Sequence, residues 1–264
     1  MIILITGITS GFGRAMASAL SSEGHTVYGT YRHPSDPLPS VTYIQADSTV
    51  EEECAYAVKR VVQEQGRIDV FINNAGMGIG GPVEFTQTSD ARRQMEVNFM
   101  GMVNFLHYVV PVMRLRSEGR IICFSSIGGL MGLPFQGFYS ASKFAIEGLC
   151  EALRLELRGT GVKVVVVEPG DFATSFTASR KSVSSPEALE AYPSYGDSLA
   201  SIEQDETGGL KPEYLAKRIS SIVKKKNPKY SYVISTFEQR LSILLKAILP
   251  APVFAKILAG YYKL

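Results

Sequence analysis

Two periods of apolar and polar residues alternate along this chain. Short runs such as Ile2-Ile-Leu-Ile-Thr6 and Val164-Val-Val-Val167 are apolar or nearly so, the pattern of strands buried on both faces of a parallel sheet. Between such runs lie longer stretches with apolar residues at helical spacing, for example Phe138 to Leu153. The pattern predicts strands at 2–6, 26–31, 41–46, 69–73, 119–125, 162–168 and 230–235, and helices at 12–23, 50–65, 89–115, 138–158 and 212–226. Strand–helix alternation implies right-handed crossovers, hence an α/β fold: a doubly wound parallel sheet with helices on both faces. No repeat or linker divides the chain, so one domain is expected over residues 1–264. Residues 171–211 are poor in periodicity and rich in Ser, Thr, Pro and Gly, which predicts a long functional loop.

Composition narrows the picture. A chain of 264 residues with 45% hydrophobic residues can build one large core. The net charge of +2 gives no global field for nucleic acid. Cys54, Cys123 and Cys150 suit a reducing compartment, and Cys123 and Cys150 read as small core residues. No C-x-x-C or His-rich spacing suggests a metal, and His25, His33 and His107 are scattered. Met95, Met100, Met102 and Met113 read as core filler, and Lys224-Lys-Lys226 as a cationic helix end. The first strand begins at once, so no signal peptide is expected and a cytoplasmic location is.

The first strand runs straight into Gly7-Ile-Thr-Ser-Gly-Phe-Gly13 and then a helical pattern. Glycine lets the backbone turn tightly and approach a ligand, and the helix N-terminus offers free N–H groups and a positive dipole end. The spacing is G-x-x-x-G-x-G rather than the commoner G-x-G-x-x-G. In doubly wound sheets ligands bind beyond the carboxyl ends of the strands. The glycine turn, Asn73–Gly76, Ser126 and Pro169–Gly170 all follow strand ends and should converge on one edge.

Tyr139 and Lys143 share one face of the predicted 138–158 helix. A free tyrosine has a pKa near ~10 and is a weak base at neutral pH, and a neighbouring cation is expected to lower that value. Ser126 ends a buried strand and can hold a substrate oxygen while Tyr139 gives or takes its proton.

Thr6-Gly-Ile-Thr-Ser-Gly-Phe-Gly13, Asn73-Asn-Ala-Gly76, Asn98, Ser126, Tyr139-Ser-Ala-Ser-Lys143, Pro169-Gly170 and Thr174 stand in the order and spacing of a known family. The chain resembles the short-chain dehydrogenase/reductase family over about residues 2 to 175. The resemblance implies a Rossmann-like fold and hydride transfer between a nicotinamide cofactor and a carbonyl or alcohol. It assigns catalysis to Asn98, Ser126, Tyr139 and Lys143. It implies that Gly7, Thr9, Ser10, Gly11, Phe12, Gly13, Asp47, Asn74, Ala75, Gly76, Tyr139, Lys143, Pro169, Gly170 and Thr174 bind the cofactor. By the same resemblance Lys143 binds the nicotinamide ribose, Asn98 holds a proton-relay water, 171–211 is the substrate loop and the protein is a homo-oligomer. Alternatively, Asn98 is bonded to backbone inside a helix, and Asn74 also helps hold the central strands. Asp47 resembles the aspartate that accepts from the adenine amino group, or caps a helix in competition with Ser48 and Thr49.

Cofactor choice turns on the end of the second strand. An NAD site usually places a carboxylate there for the ribose 2′-OH. Here Arg32 stands at that point and no carboxylate appears before Asp36. A guanidinium can grip a 2′-phosphate, so NADP(H) is favoured over NAD(H). Arg14 adds charge there or is merely solvated.

Ile127, Leu130, Met131, Leu133, Phe135 and Phe138 are candidate apolar walls. Residues 236–264 form an apolar extension whose charges after Glu238 are all basic. Interrupted by Lys246, Pro250 and Pro252, it cannot span a bilayer. It either lies in a membrane interface, as a peripheral contact, or packs as a helix pair on the body or a partner subunit. These features favour a lipophilic small-molecule substrate: a steroid, a retinoid or a long-chain keto compound. The alternatives are a reductase of small polar carbonyls and a non-catalytic NADP-binding sensor.

Overall fold

The computed structural model describes residues 1–264. Its main sheet is built from β1 (Ile2–Thr6), β2 (Thr26–Tyr31), β3 (Val41–Gln45), β4 (Val70–Asn73), β6 (Gly119–Phe124), β7 (Val162–Pro169) and β9 (Ser231–Ile234). A separate two-stranded ribbon pairs β5 (Ile79–Gly80) with β8 (Lys181–Ser182). The seven strands of the main sheet are parallel, in the order β3-β2-β1-β4-β6-β7-β9. All seven expected strands are present, each end within one residue of its expected place.

Alternate strand residues feed two cores. Leu4, Phe71, Ile121 and Val164 face one side, against Met102 and Phe105; Ile3, Ile72, Ile122 and Val165 face the other, against Met16 and Ile219. That is why the strands read as unbroken apolar runs. The first layer carries α2 (Glu51–Gln65), α4 (Gly101–Leu115) and α5 (Gly137–Glu156); the second carries α1 (Gly11–Ser22) and α9 (Pro212–Lys224).

The expected helix at 89–115 contains a break. α3 (Thr88–Met95) passes through a π-helical turn, Glu96–Met100, into α4. Apolar periodicity does not register such a turn, because it adds one residue without ending the helix. The expected loop at 171–211 is also corrected. It holds α6 (Ser175–Ser179), α7 (Pro186–Ala191) and α8 (Tyr195–Thr207). Thr174 accepts from the Phe176 N–H, and Ser185 accepts from the Ala188 N–H with Pro186 behind it. These are helix starts of ordinary chemistry, but α6 and α7 are too short for a period to show. The chain closes with α10 (Phe237–Ile248) and α11 (Ala251–Tyr261), a pair that lines the main cavity. α10 opens on a capping box between Thr236 and Gln239. No helix is long and apolar enough to cross a membrane.

Candidate active site

A cavity of ≈ 680 Å³ runs along the carboxyl ends of the strands. The sheet order reverses between β1 and β4, and the glycine turn lies there. Gly7 and Gly11 have φ of +72° and +51°, a region that disfavours side chains. A Cβ on Gly13 would stand 2.0 Å from the Gly7 carbonyl oxygen. α1 begins behind this turn with no acidic residue in its first turn and no side chain capping it. Its free N–H groups can therefore receive a phosphate.

Thr6, Asn74 and Ala75 hold this corner together. Thr6 Oγ1 accepts the N–H groups of Asn74 and Ala75, both at 2.9 Å. The Asn74 amide donates to the carbonyls of Thr6 and Gly7. Asn74 thus joins β1 to β4 while lining the cavity. Gly7, Thr9, Ser10, Gly11, Phe12, Ala75, Gly76, Pro169, Gly170 and Thr174 line it as well, so the distant motifs do converge. Gly13 does not line it; it packs under the turn.

At the outer end of β2, Arg32 is exposed and lines the cavity, with no carboxylate on that strand end. Arg14 does not line the cavity; it donates to the Asp36 carbonyl, in the loop after β2, at 2.7 Å. Asp47 lines the cavity and accepts from the N–H and hydroxyl of Thr49, while α2 starts after Val50 without a side-chain cap. Burial pushes the Asp47 carboxyl up, but the Thr49 bonds and the cations Arg93 and Arg32 outweigh it and hold the group low. Arg93 approaches Asp47 at 3.6 Å and lines the same cavity. Sequence reasoning missed Arg93, because it lies on α3, far in sequence from β2.

Ser126, Tyr139 and Lys143 meet midway along the cavity. Ser126 follows β6 and accepts from the Gly128 N–H at 3.1 Å. Lys143 Nζ donates to the Phe124 carbonyl at 2.9 Å and stands 5.7 Å from the Tyr139 ring centre. Burial pushes the Tyr139 phenol up to about 12, opposed by its hydrogen bond with Ser126. Burial likewise brings Lys143 down to about 8, with Glu147 acting the other way. The downward shift expected for Tyr139 is corrected here: desolvation of the phenolate is the larger effect. A phenol held protonated at neutral pH is an acid, the form that can donate to a developing alkoxide.

Asn98 lies in the π-helical turn, is 1% exposed and does not line the cavity. Its carbonyl accepts from the Met77 N–H at 2.8 Å, and its amide donates to the Met77 carbonyl and to Ser142 Oγ. Ser142 Oγ in turn donates to the Tyr139 carbonyl at 2.7 Å. Asn98 therefore ties α5 to the chain after β4, from behind the catalytic face.

Beyond Tyr139 the cavity is roofed by the C-terminal pair. Leu245, Phe254, Leu258 and Tyr262 line it, together with Met131, Leu133 and Phe176. Of the expected walls, Ile127, Met131 and Leu133 contribute, whereas Leu130, Phe135 and Phe138 do not. Phe135 packs against Tyr192 and Tyr195 instead. One polar patch interrupts the roof. Asp171 is bonded to Gln239, and Glu206 to Thr177 and the buried Arg180. Burial, with Glu206 and Asp205 nearby, pushes Asp171 up to about 7. Nothing in the sequence pattern marks this patch, since its members come from four separate segments.

Comparison with known proteins decides the family. The family model described as short chain dehydrogenase matches residues 1–184. The chain belongs to the short-chain dehydrogenase family. It is 46% identical over 250 residues to a 3-ketodihydrosphingosine reductase of Bacteroides thetaiotaomicron, covering 94% of this chain and 93% of that protein. It is 37% identical over 204 residues to the 17-beta-hydroxysteroid dehydrogenase type 1 of Homo sapiens, covering 71% of this chain but 61% of that one. A solved short-chain dehydrogenase from Streptomyces avermitilis superposes with a TM-score of 0.83 at 28% identity, covering 99% of this chain and 96% of that one. The chain is accordingly an oxidoreductase of a family that binds NAD or NADP.

Proposed function

We propose that this protein is an NADP(H)-dependent reductase of a lipophilic ketone, with a long-chain keto compound ahead of a steroid or retinoid. The observation that carries the reading is the cavity itself: protonated Tyr139 and Ser126 at its middle, an apolar roof beyond them. The relatives named for a sphingoid ketone and a steroid point the same way. Asp171 and Glu206 beside the reaction centre suit a substrate with a polar head on an apolar body.

The residues fit a dinucleotide. The α1 N-terminus and Gly7–Gly13 suit its pyrophosphate, Asp47 and Asn74 its adenosine, and Lys143 with Pro169, Gly170 and Thr174 the nicotinamide end. Arg32, with Arg93 nearby, suits a 2′-phosphate and so supports NADP(H). When bound, the nicotinamide supplies the hydride. Tyr139 gives its phenolic proton to the substrate oxygen as charge develops there, and Ser126 donates a hydrogen bond to the same oxygen. Lys143 keeps a positive charge beside the phenol. Asn98 positions Tyr139 by fixing α5 and the segment after β4 in register. A homo-oligomer in the cytoplasm, with peripheral membrane contact through 236–264, completes the reading, on the support of family resemblance and the apolar C-terminal pair.

The test is a panel of long-chain, steroidal and small polar ketones, followed by NADPH absorbance. Highest kcat/KM on the lipophilic members is expected. Preference for small polar carbonyls, or none for any ketone, contradicts the reading.

A further inference from the structure

α10 turns Phe237, Leu241, Leu244 and Ile248 to solvent, between 41% and 75% exposed. These positions fall at i, i+4, i+7 and i+11, a single stripe. α11 presents Val253, Ile257 and Tyr261 in the same way, between 45% and 59% exposed. Ile257 and Tyr261 also line the main cavity, so this stripe follows its rim.

The charges of the segment have one sign. After Glu238 they are Arg240, Lys246, Lys256 and Lys263, with no acidic side chain among them. On the neighbouring α8, Asp197 and Glu203 are exposed outside the segment, and Asp205 accepts from the Tyr261 hydroxyl at 2.6 Å at the edge of the face. A symmetric dimer through this face would bring the same cations together, which opposes a second copy as its occupant. An anionic lipid surface accepts both features: apolar side chains enter the interface and ammonium groups stay among the head groups.

A second cavity, of ≈ 240 Å³, lies between Met131–Gly132 and the helix pair. Its lining includes Lys246, Leu249 and Ala255. Met131, Phe254 and Leu258 line both cavities, so these three side chains partition them. Lys246 Nζ donates to the Leu130 carbonyl at 2.6 Å, holding the roof to the loop beside the slot.

We infer that the α10–α11 face docks on an anionic lipid surface, and that an apolar substrate passes from it through the slot at Met131, Phe254 and Leu258 to Tyr139. The docking deepens the peripheral contact proposed above, and the passage to Tyr139 rests in addition on the lipophilic-substrate reading.

Flotation of the full chain with phosphatidylcholine vesicles, with and without phosphatidylglycerol, tests the docking. The wild type floats with the anionic vesicles. Leu241→Ser/Leu244→Ser/Ile248→Ser and Arg240→Glu/Lys256→Glu/Lys263→Glu each reduce bound protein by about tenfold or more. All of these side chains are exposed, and an unchanged NADPH titration verifies that the variants are folded. Both variants keep wild-type turnover on a water-soluble ketone and lose it on a long-chain ketone held in vesicles. Wild type that stays in the aqueous layer, or a stripe variant that floats like wild type, overturns the docking. A dimer that the stripe variant dissociates in sedimentation also overturns it, making the face a subunit interface. Equal loss on both ketones overturns the slot. Flotation with no turnover of any ketone upholds the docking and strikes only the ketone reduction proposed above.

Discussion

Gly13 and Gly260 lie at opposite ends of the chain and in opposite surroundings. A Cβ on Gly13 would meet backbone oxygen at 2.0 Å, whereas one on Gly260 would meet nothing within 4 Å. The contrast extends to the regions around them. Residues 1–170 place most of the proposed catalytic and cofactor-binding groups by backbone geometry: positive-φ glycines, a helix start without a side-chain cap, and Asn74 and Asn98 bonded to main chain. Residues 171–264 shape the far cavity with side chains on helices, and much of their apolar surface remains outside. A site made of backbone tolerates few residue types at each position. A site made of apolar side chains tolerates many, provided volume and polarity are kept. The first region is therefore suited to a chemistry common to a family, and the second can adapt to a particular substrate.

The largest effect should come from the reaction centre in the first region. Tyr139→Phe keeps the ring but removes the transferable proton. Turnover should fall by about 10²–10⁴-fold with NADPH binding nearly unchanged, read by steady-state rates and fluorescence titration. Ordinary rates in this variant would end the assignment.

Glu168 tests the buried core beneath the site. It is 2% exposed, one of its oxygens has no partner, and burial pushes it from 4.5 to about 7. A folded pKa above the unfolded one gives stability that is present below about pH 4.5 and is lost as pH rises through about 7. Glu168→Gln removes that dependence. Relative to wild type it should gain up to ~3 kcal/mol as pH rises from about 5 to about 8, seen as a flatter Tm against pH. An unchanged Tm slope would show that the carboxyl is solvated.

Arg32→Asp should shift preference from NADPH toward NADH by roughly ten- to a hundredfold, the scale of one or two charge-assisted bonds. If the wild type already binds NADH more tightly, the role given to Arg32 is wrong.

The smallest effect sharpens the contrast between the glycines. Gly260→Ala, within α11, should stabilise by ~0.5–1 kcal/mol, whereas Gly13→Ala should destabilise by ~1–3 kcal/mol and weaken cofactor binding. Chemical denaturation measures both. Equal effects would erase the distinction between the regions.

The same distinction decides what could be read from the sequence. The strands and the convergence of Gly7, Asn74, Ser126, Tyr139 and Pro169 on one edge were legible, because buried apolar runs and helical spacing mark where each stands. The π-helical turn at Asn98 was not, since it leaves the apolar spacing of a long helix nearly intact. Arg93, Arg180 and Gln239 reach the site or its polar patch across long sequence separations. α6 and α7 were hidden by their shortness, although Thr174 and Ser185-Pro186 carried their start signals. Tyr139 carried its chemistry openly, but the burial that raises its phenol, and the Ser126 bond that opposes it, depend on the folded cavity.

If the roofed cavity beyond Tyr139 takes an apolar body, the length of that body should govern the rate. A series of ketones differing only in chain length, assayed with NADPH, tests this most directly. Each buried methylene should raise kcat/KM by about fourfold, from ~0.8 kcal/mol per CH₂, until the cavity is filled. A kcat/KM that stays flat or falls with chain length would contradict the lipophilic-substrate reading.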